Sequence, residues 1–341
     1  MAQDVESVPI EITVECSADV RKASVSAKSS AGAIGFPADH CEEVGLVVTE
    51  LGANLLRHAS SGKITVSATG KDDRKGIRIE SEDSGPGILD VEQAMTDGYS
   101  TIGGLGLGLG TVNRLMDELD IYPGPRGGTH IICQRYLRPK ASTSFDRVLA
   151  FGTATRPRRP MDENGDAFII KQWEGNALLG VIDGLGHGQF AQRASRAARQ
   201  YVEQHFDQPL EKLFRGAGRV CRGTRGVVMA LACVDHARAK LRVASVGNIE
   251  VRYVGGSEHF SPVVRRGIVG LNAPEAVVTE HAWNPGSLLI MHSDGLSTRW
   301  DWNDFSDLAR EAPEIIAQRL MRKLGKPDDD ATVVVARSSA Q

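Results

Sequence analysis

No apolar run in this chain approaches the roughly 18 residues that a membrane-spanning helix needs. The opening stretch, MAQDVESVPIEITVE, is acidic and has no apolar h-region. No secretory signal is visible, and a cytoplasmic protein is expected. Neither sign of charge dominates: 40 Lys+Arg face 43 Asp+Glu, a net charge of -3, whereas a dedicated nucleic-acid binder is usually strongly basic. The cysteines are few, odd in number and scattered (Cys16, Cys41, Cys133, Cys221 and Cys233), without a CxxC pair. This argues against a disulfide framework or a zinc site and for reduced thiols. A Walker A motif is missing too, because no Gly-Lys-Ser/Thr follows the glycine-rich run at 103–110. What the chain does have is 341 residues, enough for about two domains. Its 41% hydrophobic content is too high for a disordered chain.

Charge is unevenly divided. Residues 1–140 hold 14 basic and 20 acidic side chains, and residues 141–341 hold 26 and 23. The change falls at the polar stretch from Leu137 to Ser144, directly after an apolar, strand-like run from Thr129 to Tyr136. The expected organisation is a domain over 1–138, a linker over 139–146 and a second domain over 147–341. In the first domain Ile10-Glu11-Ile12-Thr13-Val14 alternates as a strand, as do Ile64-Val66-Ala68 and Ile77-Ile79. Asp39-His40-Cys41-Glu42 has capping-box spacing and predicts a helix start. Val44, Val47, Val48, Leu51 and Leu55 then recur on one helical face. A second helix is expected from about Thr111 to Leu119. In the second domain, strands are expected at Ala177–Ile182, Val227–Val234, Leu241–Ser245, Glu250–Val254, Leu288–His292 and Thr332–Ala336. Helices are expected around Ala191, Ala194, Ala197 and Ala198 and near Glu314–Leu324. Many strands and few helices predict a β-rich, layered α+β domain.

Glu50 and Asn54 are four apart and share a helix face, and His58 continues the stripe. A carboxylate and an amide so placed suit a hydroxyl and a Mg²⁺ ion; the same pattern suits a solvated surface face. Asp83-Ser84-Gly85-Pro86-Gly87 follows a strand. Its carboxylate can accept a hydrogen bond from an adenine amino group, while Gly85 and Gly87 let the backbone pass close to a flat base. The run from Gly103 to Gly110 leads into a helix whose free N–H groups suit a phosphate chain; taken alone it also reads as a flexible turn. Together these segments resemble the N, G1 and G2 boxes of the GHKL ATPase superfamily. The stretch Asp97-Gly98-Tyr99-Ser100-Thr101 through Gly110, followed by Arg114-Leu115-Met116-Asp117-Glu118, is similar to the RsbT-type switch serine kinases of bacterial stress signalling. The resemblance spans residues 8–137 and implies a Bergerat α/β sandwich that binds ATP and Mg²⁺. It implies that Asn54 holds Mg²⁺, Glu50 is the general base and Asp83 reads adenine. Gly104, Gly106, Gly108 and Gly110 would wrap the triphosphate, and Thr129 would sit near Asp83 and the base. His58 fits a packing role and a functional role equally.

In the second half, Asp166 lies in Asn164-Gly165-Asp166, and Asp183 heads Asp183-Gly184-Leu185-Gly186-His187-Gly188. Asp294 lies in Ser293-Asp294-Gly295, and Asp328-Asp329-Asp330 precedes the last strand. Each position adjoins a strand. All-oxygen donors favour hard cations such as Mg²⁺ or Mn²⁺, and two ions sharing one carboxylate can activate a water for attack on phosphorus. Any single Asp-Gly pair also reads as a hairpin turn. The set resembles the SpoIIE-type branch of the metal-dependent (PPM) protein phosphatases. Gly223-Thr224-Arg225-Gly226 and Val246-Gly247-Asn248 point to RsbX-like members. This resemblance spans residues 145–338 and implies an α-β-β-α sandwich holding two Mn²⁺ or Mg²⁺ ions. It implies that Asp183 bridges both ions and is central to catalysis, that the Gly184 carbonyl is a further ligand, and that Asp294 and Asp329 complete the second site. Asp166 would be a ligand or an acid just outside the metal. Asp329 is chosen as the first Asp of Asp-Asp-x-Thr, with a one-residue ambiguity in the run of three. Larger relatives carry a phosphate-binding Arg before the first acidic motif; Arg156, Arg158 and Arg159 lie there, and none aligns. His187 suits a phosphate contact or a loop support.

The expected protein is an α+β fusion of an ATP-dependent serine/threonine kinase and a metal-dependent phosphoserine/phosphothreonine phosphatase. Both halves would act on STAS-domain regulatory proteins, of stressosome or anti-anti-sigma type. Nucleic acid and membrane are not expected partners, and a homodimer is left open. Two alternatives are a phosphatase regulated by a non-catalytic ATP-binding or partner-binding domain, and an anti-sigma factor.

Overall fold

The computed structural model describes residues 8–59, 61–71, 74–88, 108–124, 127–138, 149–255, 260 and 262–338. The segment Asp97–Thr101, Gly104, Gly106 and the expected linker at 139–146 lie outside the described residues. The chain divides into two compact units, Met1–Arg138 and Pro139–Gln341.

In the first unit, strands β1 (Ile10–Val14), β2 (Gly62–Lys71), β3 (Arg74–Asp83), β4 (Glu118–Pro123) and β5 (Thr129–Tyr136) form one antiparallel sheet in the order β1-β2-β3-β5-β4. Helices α1 (Ser17–Ile34), α2 (Ala38–His58) and α3 (Gly108–Leu115) supply the facing layer. Period-2 alternation puts Ile12, Val14, Ile64, Val66, Ile77, Ile79, Ile131 and Cys133 on the covered face. There they meet Val44, Val47, Val48, Leu51 and Leu55 of α2 and Val112 of α3. Helix α1 is not marked by large apolar residues. It buries a small-residue stripe, Ala23, Ser24, Ala27 and Ala31, which allows close approach to α2. Ser24 Oγ donates to the Gly45 carbonyl at 2.8 Å, and a Cβ on Gly52 would strike Val20.

Two sequence expectations change. Helix α2 begins at Ala38 behind Pro37 and has no side-chain cap; Asp39 instead sits in its first turn, where its charge favours the helix dipole. Helix α3 ends at Leu115, and Leu119 belongs to β4, paired with Cys133. Pairing with β5 overrides the local helical pattern there.

The second unit stacks two sheets between helices, the α-β-β-α arrangement. One sheet holds β7 (Asp166–Trp173), β8 (Asn176–Gly184), β9 (Val227–Asp235), β10 (Lys240–Val246) and β12 (Val264–Arg265) in the order β12-β10-β9-β8-β7, with β13 (Thr279–Ala282) also on β10. The other holds β11 (Glu250–Val254), β14 (Leu288–His292), β15 (Ala331–Ser338) and β6 (Leu149–Arg156) in the order β11-β14-β15-β6. Three apolar layers define the stack. Val181, Ala230, Val243, Leu289 and Val334 fill the space between the sheets. Helices α4 (Gln189–Gln204) and α5 (Leu210–Cys221) close the first sheet through Ala198, Val202, Leu213 and Ile182. Helix α6 (Pro313–Leu324) closes the second through Ile316, Leu320, Val333 and Val335. Strands buried on both faces lose alternation and read as continuous apolar runs, as in Val227–Asp235, where every residue is buried.

Gly152 in β6 shows how close this packing is. A Cβ there would lie 2.0 Å from the Pro313 carbonyl carbon at the start of α6, so backbone would have to move. Gly152→Ala should destabilise the second unit by roughly 1–3 kcal/mol. All four tryptophans (Trp173, Trp283, Trp300 and Trp302) lie in this unit, so their fluorescence in a urea titration reports its midpoint directly. An unchanged midpoint would show that α6 yields freely.

Candidate active sites

In the first unit the sheet positions Asp83 as the last residue of β3 rather than beyond it. Its Oδ1 accepts from the Gly85 amide at 2.8 Å and the Thr129 amide at 3.1 Å. Both bonds orient the carboxylate and leave its second oxygen for another donor. Glycines keep the surroundings open. A Cβ on Gly128 would lie 2.6 Å from Asp83 Oδ1, and one on Gly85 would lie 2.9 Å from the His58 carbonyl. The His58 ring itself is exposed, so this residue meets the site through its backbone. Gly87 adopts a φ of +76°, a conformation glycine takes without strain. Glu50 and Asn54 are both half-buried on α2. Asn54 faces the start of α3: a Cβ on Gly108 would be 3.8 Å from its Oδ1. Gly110 is buried in the first turn of α3. Glu50, Asn54, Asp83, Gly85, Gly87, Gly108, Gly110 and Thr129 thus lie on elements of one unit, with a cradle at Asp83 that any side chain would fill. These residues fit a flat amino-bearing base and a phosphate chain.

In the second unit the register of two strand pairs creates the site. Asp166 opens β7 and stands directly opposite Asp183 of β8, a like-charged cross-strand pair that is unfavourable by itself. From the other sheet, Asp294 follows β14, and Asp329 and Asp330 precede β15. A polar lattice holds the two sheet ends together. Ser293 Oγ donates to Asp166 Oδ2 at 2.6 Å and accepts from the Thr332 amide at 3.0 Å. The Thr155 and Thr332 hydroxyls are 2.8 Å apart, Asn164 Nδ2 donates to Thr155 Oγ1, and the Asp166 amide donates to Asn164 Oδ1. Asn248 Nδ2 donates to Asp294 Oδ2 at 2.8 Å. A Cβ on Gly184 would collide with the Ala191 carbonyl at 2.1 Å, so α4 starts directly against the Asp183 turn.

The electrostatics show what the cluster lacks. Burial, then the charges of Asp166, Asp294, Asp329 and Asp330, push the Asp183 carboxyl far above the ordinary carboxylate range. Burial raises Asp166 as well, against hydrogen bonds from Ser293 and Thr332, and raises Asp329. Buried oxygens without a hydrogen-bond partner include Asp166 Oδ1 and Asp330 Oδ2. Among the described residues no group of three or more acidic, His or Cys side chains stands close enough to hold an ion as placed. Unpaired hard oxygens under this field fit divalent cations. The sequence pattern preferred Asp329 and left the run of three ambiguous; Asp330 is its most buried member at 4% exposure, with Oδ1 accepting from the Arg158 amide at 2.9 Å. It gave no role to Ser293 or Thr332, and named Asn248 only within the Val246-Gly247-Asn248 stretch. The Ser-Asp-Gly and Asp-Asp-x-Thr contexts held Ser293 and Thr332 in plain sight, but only the sheet register brings them to Asp166.

Comparisons with known proteins follow the same division. The family model for the histidine kinase-like ATPase domain matches residues 14–134, and that for stage II sporulation protein E matches residues 174–339. The chain is 36% identical over 120 residues to the serine/threonine-protein kinase RsbT of Bacillus subtilis (strain 168), covering 35% of this chain and 90% of that protein. It is 27% identical over 135 residues to the phosphoserine phosphatase RsbX of the same organism, covering 39% and 67%. A solved chain from the bacterial stressosome, described as a modular system adapted to control secondary messenger signalling, superposes with a TM-score of 0.53 at 34% identity, over 55% of this chain and 99% of that one. RsbX in complex with magnesium superposes with a TM-score of 0.52 at 21% identity, over 58% and 100%; this second likeness is one of fold.

The raised carboxylates give a stability prediction. Folding lifts their pKa, so the metal-free unit loses stability as pH rises from the unfolded carboxylate value near 3.8 towards the raised folded value. In EDTA at neutral pH, Asp183→Asn should raise the thermal midpoint by about 2–6 °C, equivalent to ~1–2 kcal/mol in a unit of this size. Its midpoint should also fall less between pH 5 and pH 8 than that of the wild type. Differential scanning fluorimetry reads both, and a variant that melts lower than wild type in EDTA would remove the repulsion argument.

Proposed function

We propose that this chain, which belongs to the RsbT-type family of histidine kinase-like ATPases and carries a SpoIIE-type PPM phosphatase domain, both writes and erases one phosphorylation mark. Its kinase-like and phosphatase domains make it a regulator of partner-switching stress signalling. The finer reading is that both halves act on a STAS-domain protein in the cytoplasm. The observation that carries it is the co-occurrence in one chain of an oriented adenine-type carboxylate at Asp83 and an uncompensated carboxylate cluster at Asp183.

In the kinase half, Asp83 would accept from the adenine amino group while Gly85 and Gly87 admit the base. Asn54 and the start of α3 would flank the phosphates, Asn54 as the Mg²⁺ ligand. Glu50, on the same face of α2, would accept the proton of the target hydroxyl as its oxygen bonds to the γ-phosphorus and ADP leaves. Positioning and electrostatics carry most of such a transfer. In the phosphatase half, Asp183, the Gly184 carbonyl, Asp294 and Asp329 would hold the cations, with Asp166 beside them. Two divalent ions, when bound, supply positive charge and an activated water. Ser293, itself bound by the Thr332 amide, holds the Asp166 carboxylate, and Asn248 holds that of Asp294. Hydrolysis bonds the water oxygen to phosphorus, breaks the bond to the seryl oxygen and leaves the proton on that oxygen.

Two measurements check this reading. Incubation with ATP-Mg and a STAS-domain protein should add one phosphoryl mass to that protein. Glu50→Gln should still bind ATP by calorimetry yet transfer at least 100-fold more slowly, the scale of general-base loss. Wild-type ATP binding without transfer to any STAS protein would leave a nucleotide-regulated phosphatase instead. Asp294→Asn should abolish Mn²⁺- or Mg²⁺-dependent release of phosphate from the phosphorylated STAS protein while leaving ATP affinity unchanged. Phosphate release that persists in EDTA would overturn the metal reading.

A further inference from the structure

Three arginines precede the first acidic motif, and they are anchored in different ways. The Arg156 guanidinium donates to the Lys326 carbonyl. Arg158 and Arg159 tie the segment down through their backbone amides, to Asp330 Oδ1 at 2.9 Å and to the Pro327 carbonyl at 3.4 Å. A different guanidinium faces the Asp183 turn. Arg225 sits on the Gly223–Gly226 loop, against Gly186: a Cβ on Gly186 would lie 2.8 Å from Arg225 Nη1. Gly186 is three residues beyond Asp183.

The placement is built in. The Leu185 amide donates to the Gly226 carbonyl at 3.1 Å, joining the two loops. Thr224 Oγ1 donates to the Cys221 carbonyl at 2.7 Å and accepts from the Gly226 amide at 3.0 Å, which fixes the turn around Arg225. Gly226 has a φ of +75°, and a Cβ there would meet Ile268 at 2.5 Å. The Arg225 guanidinium carbon lies 5.0 Å from the centre of the Phe190 ring in the first turn of α4. Phe190 is itself 54% exposed, so its ring serves as a platform for the cation. Among the described residues no carboxylate pairs with Arg225, although acidic groups crowd the next turn. A planar guanidinium with free forked donors, held at the rim of a cation-binding cluster, matches the oxygens of a phosphoryl group.

We infer that Arg225, braced by Phe190, grips the substrate phosphoryl group at the mouth of the Asp183 site. The Gly223-Thr224-Arg225-Gly226 loop thereby supplies a phosphate contact. This inference rests on the phosphatase reading and adds a substrate-binding residue to it.

The test uses the full chain with Mn²⁺ and two probes, inorganic phosphate and a phosphoserine peptide. Arg225→Ala should raise KM for the peptide at least tenfold, with kcat changed less than about threefold. By calorimetry, its dissociation constant for inorganic phosphate should rise by a similar factor. Arg225→Lys should recover part of both losses, and Phe190→Ala should weaken both more mildly. The Mn²⁺-induced thermal shift should stay at the wild-type value in all three variants, since none holds the metal. Wild-type KM and phosphate affinity in Arg225→Ala would overturn the inference. So would a fall in kcat with phosphate affinity intact. If the wild type binds phosphate through Arg225 without hydrolysing the peptide, Arg225 stands and the hydrolytic reading falls.

Discussion

Repulsion among carboxylates is the constraint around which the second unit is built. Asp166 and Asp183 face each other across β7 and β8, while Asp294, Asp329 and Asp330 arrive from the ends of β14 and β15. No fold gathers such a set without opposing forces. The opposing forces here are three apolar layers and a lattice of hydroxyls. The Ser293 amide donates to the Thr332 carbonyl, the Thr332 amide donates to Ser293 Oγ, and that hydroxyl donates to Asp166. The stiffness of the sandwich thus keeps negative charge concentrated, and concentrated charge on hard oxygens is what draws in divalent ions.

The first unit solves a different problem with different means. It keeps open space beside a carboxylate, and it does so by omission. Gly85, Gly124 and Gly128 line Asp83 with no side chains of their own, and a Cβ at each would run into Asp83 or its neighbours. The carboxylate is held by two backbone amides rather than by a cation, so its charge remains available. Ser24, Gly45 and Gly52 let α1 pack closely on α2, the helix that carries Glu50 and Asn54. A kinase-like pocket and a phosphatase cluster therefore share one chain while relying on opposite physics, vacant space in one and crowded charge in the other.

Arg225 shows how such a cluster acquires selectivity. The Arg225 guanidinium lies against Gly186, three residues beyond Asp183, and no carboxylate among the described residues pairs with it. The Thr224 turn and the Phe190 ring hold it aside, where its donors remain free for a phosphoryl group.

Much of this was legible in the chain itself. The apolar stripe of α2, the strands at Ile10–Val14, Thr129–Tyr136 and Leu288–His292, and the Asp-Gly turns follow from short-range periodicity and turn chemistry, which neighbouring residues dictate. The glycines around Asp83 and the candidate acids at 166, 183, 294 and 329 are visible for the same reason, since each needs only its own local sequence to stand out. Helix α1 escaped because a stripe of Ala and Ser carries little hydrophobic signal; it is a helix that closeness to α2 rewards. Leu119 joined β4 because β5 offered it a partner. The burial of Asp330, the reach of Ser293 and Thr332 to Asp166, and the approach of Arg225 to Gly186 depend on strand register and loop docking between segments that lie tens to more than a hundred residues apart. Local sequence determines which side chains exist and which elements they favour. Only packing decides which of those side chains meet, because distance in space is set by the whole fold.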